Sequence, residues 1–379
     1  MQIDDRHDHS LRVPRPDLSI KYGTPNACSN CHDEDDEWAM QQIIQYHGYR
    51  RRSHFSETLL SGSRRHFDAE RHLAELANDP GQPPTARANA LSQLSGYELG
   101  YSAEAVTNGL KDPEPLVRLY ALRSIERVDQ NKRHGALKRL LADPIKAIRT
   151  DAARIAIEHL SDFTEPAERA LILSVLEEYK AIQTQQSDLP EAHTNLAAIS
   201  IALGQFDVAE QQLKNALAIE PEWIPGLVNL ADLYRRVGRD SEAGDILEKA
   251  IAIKPPIAEA QIAYGMWLIR SGRPSDALNQ FQRSYELEPE GLRNGYLYAL
   301  ALNANNRRDQ AIGIAELAVD RFGDHRILLE LLATMYRDAE SFDGALRYAT
   351  RLEERFGGDV YRTLRAQMLL AVRKRDGPS

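Results

Sequence analysis

Cysteine is almost missing from this sequence: its 379 residues include two, Cys28 and Cys31. Two thiols cannot build the disulfide framework of a small secreted scaffold. Long apolar runs are missing as well. No stretch approaches the roughly 18 apolar residues of a membrane-spanning helix, so no membrane span is expected. Met1 is followed at once by "MQIDDRHDHS", and no secretion signal is visible. Basic excess is lacking too. The 47 Lys and Arg stand against 56 Asp and Glu, a net charge of −9 that argues against nucleic-acid binding. The one compact basic cluster, Arg50, Arg51 and Arg52, reads as a solvated turn. There is no phosphate-binding loop and no catalytic triad, so the chain reads as a carrier or binding module more than as an enzyme. With 42% apolar and 27% charged residues its composition is that of a globular protein. Its length allows two or three domains.

What is present is repetition. From His193, three segments align at a spacing of 34 residues: Gly204, Gly238 and Gly272 recur in phase. So do Ala209, Ala243 and Ala277, and Pro221, Pro255 and Pro289. Two weaker copies follow, marked by Ala299 and Ala311 and by Ala333 and Ala345. This resembles the tetratricopeptide pattern, a helix-turn-helix unit in which small residues let paired helices approach. Upstream, Arg87, Arg118 and Arg149 recur at a spacing of 31, preceded by Asp79-Pro80, Asp112-Pro113 and Asp143-Pro144. That resembles short HEAT-like helical pairs, and the in-phase Arg and Asp residues read as a structural ladder more than as an anion site.

The expected fold is therefore all-α. A segment with little regular structure (1–69) precedes HEAT-like repeats (70–160) and a helical joint (161–188). Five tetratricopeptide units (189–359) and a capping helix with a tail (360–379) complete it. A solenoid of this kind presents a concave face to a protein partner. Tyr234, Tyr264, Trp267, Tyr298 and Tyr336 are expected mostly to pack in its core.

The first 75 residues differ. They hold both cysteines and seven of the eleven histidines. "RVPRPDLSIKYGTPNA" reads as extended chain, since proline and the residue before it disfavour helix. "DEDDEWAMQQIIQY" reads as a helix whose acidic first turns, Asp33 to Glu37, suit the positive end of its dipole. Between them lies Cys28-Ser29-Asn30-Cys31-His32. Cys-x-x-Cys-His is the attachment sequence of haem c. Two thiols add to the porphyrin vinyl groups, and the adjacent imidazole is carried beneath the ring to ligate iron. Zinc is the rival, but it needs two more ligands, from His32, His47 or His54, and has no use for a histidine directly after the second cysteine. A redox dithiol lacks its βαβ surroundings.

"DDRHDHSLRVPRPDLSIKYGTPNACSNCHDEDDEWA" resembles the last haem segment of multihaem c-type cytochromes that carry C-terminal tetratricopeptide repeats, in the group related to cytochrome c nitrite reductase. The resemblance covers residues 3 to about 60 closely and the repeats loosely. It implies an exported, periplasmic electron-transfer protein with haem c held by Cys28 and Cys31 and ligated by His32. Further haem motifs and a secretion signal are then expected upstream of Met1, along with a redox partner. His54, beside Phe55, and His9 are the candidate distal ligands; two histidines would leave no open iron position. The acidic run after His32 should lower the potential. His7, His47, His66 and His72 read as surface or packing residues, and His134, His159, His193 and His325 as structural. The alternative reading is a haem-free tetratricopeptide scaffold.

Overall fold

The computed structural model describes residues 15–26, 28, 32–48, 54–63, 69–97 and 100–376. Among the described residues there are 21 α-helices, two short 3-10 segments and no strand, so the chain is all-α. It divides into two compact units, residues 1–60 and 61–379.

The first unit is more helical than its sequence suggests. It holds α1 (Pro16–Tyr22), α2 (Asp36–His47) and most of α3 (Phe55–Ser63). The stretch read as extended contains α1 because Pro16 takes the first helical position. There its missing N–H would have had no acceptor in any case. Arg15 donates to Asp17 across the first turn at 2.7 and 2.8 Å, and Gly23, at φ +69°, ends the helix. Helix α2 starts later than expected: Asp33 and Glu34 precede it, and Asp35 caps it by accepting the Trp38 N–H at 2.9 Å.

The second unit opens with three helix pairs: α4 (Ala69–Asn78) with α5 (Pro84–Leu94), α6 (Gly100–Gly109) with α7 (Pro115–Arg123), and α8 (Gln130–Leu140) with α9 (Lys146–Glu158). Each second helix carries one in-phase arginine. Arg118 grips Asp143 of the next pair at 2.8 and 3.1 Å and also donates to the Asp112 and Pro113 carbonyls. Arg87 does the same to Asp112 and to the Ala77 carbonyl. Arg149 reaches Glu178 of α10 (Pro166–Gln185). The arginines thus tie each unit to the next, and they also satisfy the Ala77 carbonyl at the end of α4 and linker carbonyls after α6.

Five helix pairs follow: α11 (Pro190–Ala202) with α12 (Phe206–Ile219), α13 (Ile224–Arg236) with α14 (Asp240–Ala252), and α15 (Ala258–Arg270) with α16 (Pro274–Leu287). The last two are α17 (Leu292–Ala304) with α18 (Arg308–Phe322), and α19 (Arg326–Asp338) with α20 (Phe342–Phe356); α21 (Asp359–Asp376) caps the stack. Ala209, Ala243, Ala277, Ala311 and Ala345 are all fully buried, one per second helix, where a larger side chain would hold the paired helices apart. A continuous core runs through the first four pairs to Met335 of the fifth.

Each pair turns on one residue with positive φ: Gly204, Gly238 and Gly272, then Asn306 at +60° and Glu340 at +56°. Glycine and asparagine tolerate this left-handed conformation, whereas glutamate is strained in it. Glu340→Gly is therefore expected to raise stability by about 0.5–1 kcal/mol, as relieved strain offsets the added freedom of the unfolded chain. Chemical denaturation of the full chain checks this. A loss of stability would show that the turn is not strained.

Candidate functional site

Two regions carry functional geometry, one in each unit. In the first, the Asn26 side chain organises the cysteine motif. Its carbonyl oxygen accepts the Cys28 N–H at 3.1 Å, and its amide donates to Asp36 of α2 at 2.8 Å. The His32 N–H donates to the Cys28 carbonyl at 3.0 Å. The Cys28 thiol is half-buried and the His32 ring is half-exposed. That ring lies 4.7 Å from Trp38, and its Nδ1 faces the Glu34 carboxylate at 3.9 Å. A histidine that ligates metal through Nε2 commonly has its Nδ1 directed at such an acceptor.

His54 sits elsewhere in this unit, just before α3. Its Nδ1 lies 2.7 Å from the Ser56 hydroxyl and 3.2 Å from the Ser56 backbone N, so the ring caps the helix. Phe55 packs against that ring with centroids 4.1 Å apart and planes tilted by 33°, where the sequence suggested a partner for a porphyrin edge. Cys31 and His9 lie outside the described residues, as do His7, His66 and the His47 side chain. Among the described residues no three His, Cys, Asp or Glu side chains converge on a point that could hold a metal ion. Of the remaining histidines, His72 is exposed. His134 meets Glu168 and the edge of Phe163, His159 meets Glu126 at 2.9 Å, and His193 meets Gln212 at 2.7 Å.

In the array, tyrosines and carboxylates link neighbouring helices. The Tyr234 hydroxyl donates to Glu210 at 3.0 Å, Tyr264 to Glu248 at 3.0 Å, and Tyr336 and Tyr348 both to Glu316 at 2.8 Å. Lys214 first, then Arg239 and Tyr234, hold the Glu210 carboxyl well below the usual range, at about 2. Burial, then the Glu316 carboxylate, pushes the Tyr348 hydroxyl up. Tyr264 stacks on Trp267 at 5.5 Å. These aromatics are packing groups, as their sequence positions suggested.

The first helices of the pairs leave a different surface. Positions 198, 232, 266, 300 and 334 share one register and hold Ala, Asp, Met, Leu and Thr. Met266 and Leu300 are each 41% exposed, as is Ile269 one turn further along α15. This apolar stretch is bounded by Asp232, paired with Arg235 and Arg236, and by Thr334 and Arg337. Its exposure is not legible in the sequence, although Met266 and Leu300 stand 34 apart. Asn26 carries a sequence signal of its own, since an asparagine two residues before Cys28 can accept its N–H as in an Asx turn.

The fold and these surfaces define a helical-repeat protein. Residues 227–259 match the tetratricopeptide repeat family. No curated protein sequence matches the chain. Among solved structures, similarity extends to MamA at 20% identity, covering 44% of this chain and 91% of that one with a TM-score of 0.39. It extends also to YrrB, described as a TPR protein with an unusual peptide-binding site, at 17% identity, covering 52% and 97% with a TM-score of 0.38. A third is pilF of Pseudomonas aeruginosa, at 19% identity, covering 57% and 99% with a TM-score of 0.39. The family match corrects the resemblance to multihaem cytochromes: what the chain shares with a known family is its repeat. The cytochrome similarity rested on a short stretch around one motif, whereas the array supplies a long periodic pattern.

Proposed function

We propose that this protein is an interaction scaffold whose tetratricopeptide array binds a protein partner through the face of its first helices. The observation that carries this is the exposed Met266, Ile269 and Leu300 stretch, ringed by charged residues. Arrays of stacked helix pairs use such extended surfaces for binding. Apolar anchors surrounded by polar groups are the usual arrangement of a binding hot spot. Panning a random peptide library against the full chain tests this. Convergent peptides are expected to lose about tenfold or more in affinity with Met266→Glu or Leu300→Glu, since each introduces a desolvated charge. Peptides indifferent to both variants would overturn the assignment.

The cysteine motif supports a second role beside this one. Cys28 and Cys31 would hold a haem c covalently and His32 would ligate its iron, with His54 and His9 as candidates for the opposite ligand. The support is the hydrogen bond from the His32 N–H to the Cys28 carbonyl, the Asn26 side chain holding the Cys28 N–H, and the His32 Nδ1 facing Glu34. A bound haem would supply electron transfer, which calls for a redox partner and for export to a compartment where haem c is attached. Expression with a haem c maturation system is expected to give absorbance that survives denaturation and disappears in Cys28→Ala and Cys31→Ala. Colourless protein under those conditions would leave the scaffold role alone.

A further inference from the structure

The 34-residue register carries charge as well as packing, and that register breaks at the fourth pair. Arg239, Arg273 and Arg307 occupy the same position, just before the second helix of consecutive pairs. Arg239 is clamped by Glu242 and Glu210. Arg273 is held by Asp276 at 2.7 Å and lies against Tyr264, whose hydroxyl is taken by Glu248. Around Arg307 both acids are replaced by amides: Gln310 of the fourth pair stands where Asp276 stood, and Gln282 of the third pair where Glu248 stood. Among the described residues, Arg307 therefore makes no side-chain hydrogen bond or ion pair, and the Tyr298 hydroxyl none either.

These two unanswered groups line one cavity of about 610 Å³ between α16 and α18, with Tyr298 and Leu302 of α17 at its floor. Ile314 and Leu317 form its apolar wall, and Leu317 is 58% exposed. At its far end lies Asp320, about 20 Å from Arg307 at ~1.5 Å per helical residue. Three other acids are near, and the first, Glu286, lies close to the Tyr298 hydroxyl and accepts from the Gln282 amide at 2.8 Å. Glu316 is already engaged by Tyr336, Tyr348 and Arg347. Asp309, on the first turn of α18, lies outside the lining and forms no ion pair with Arg307.

We propose that this cavity is a second peptide-binding site, for a segment with a carboxylate at one end, apolar side chains in the middle and a cation at the other. The ligand's carboxylate would restore at Arg307 and Tyr298 the acid that the preceding pair supplies from its own chain. An extended segment of about six residues spans the distance to Asp320 at ~3.3 Å per residue. The site is separate from the Met266 and Leu300 face. Leu300 and Leu302 lie two residues apart on α17 and so point to nearly opposite sides.

The probe is a fluorescently labelled, capped hexapeptide with glutamate first, leucines third and fourth and lysine last, titrated into the full chain by anisotropy. Saturable binding is expected, weakened about tenfold when glutamine replaces the glutamate and equally by Arg307→Gln, as for loss of a charge-assisted hydrogen bond. Gln310→Glu, which reinstates the neighbouring pair's own clamp, is expected to weaken it as much with an unchanged unfolding midpoint. Met266→Glu is expected to leave this binding intact, so failure here and failure of the first-helix face are told apart. Absence of saturation, equal affinity for the two peptides, or indifference to Arg307→Gln would overturn the site.

Discussion

Arg118→Ala is expected to lower the stability of the repeat unit by about 3–5 kcal/mol, the cost of leaving one member of a buried ion pair without the other. Arg118 and Asp143 have side chains only 13% and 6% exposed. Removing the guanidinium abandons the Asp143 carboxylate and also frees the Asp112 and Pro113 carbonyls. Arg149→Ala is the comparison, because its partner Glu178 is 37% exposed and water can replace the lost contact. Its cost should be clearly smaller than that of Arg118→Ala, since a solvent-exposed ion pair contributes little. Urea unfolding followed by far-ultraviolet circular dichroism measures both. Equal costs would show that burial does not set the strength of this ladder.

Gly244→Val is expected to destabilise the array by about 3 kcal/mol, at the upper end for an overpacked core. A Cβ at Gly244 would lie 2.6 Å from Cε2 and 2.9 Å from Cη2 of Trp267, on the first helix of the next pair. The indole has no room to retreat without losing its hydrogen bond to the Asp240 carbonyl, 2.9 Å away, and its stack on Tyr264. The effect should appear as a lower unfolding midpoint together with a shift in Trp fluorescence. Gly135→Ala serves as the control. An added Cβ there meets nothing within 4 Å, inside α8. Alanine's helix preference should then stabilise by up to about 1 kcal/mol. A tolerated Gly244→Val would mean that the pairs are not packed as closely as the structure shows.

The array was legible because its constraints repeat. A turn that needs positive φ selects glycine at 204, 238 and 272, and a close helix crossing selects alanine at 209, 243 and 277. The fourth and fifth copies read more weakly because Asn306 and Glu340 occupy the same turn without glycine. Helix α1 was misread because proline breaks helices inside but suits their first position, and one sequence shows only the residue. The surfaces were harder to read. Met266 and Leu300 look like any core residue until burial shows that they are not. The cysteine motif is the reverse case: Cys28, Cys31 and His32 stand out at once, yet the cytochrome family that their surroundings resemble is not the one the chain matches. Asn26 and Glu34 acquire meaning only through the distances to Cys28 and His32.

The central claim is that the first helices of the middle pairs form the partner-binding face. Hydrogen–deuterium exchange on the full chain, with and without a peptide selected from the library, tests it most directly. The account predicts added protection concentrated on α15 and α17, around Met266, Ile269 and Leu300, and none of it in Met266→Glu protein. Protection confined to residues 15–63, or spread evenly along the second helices, would contradict it.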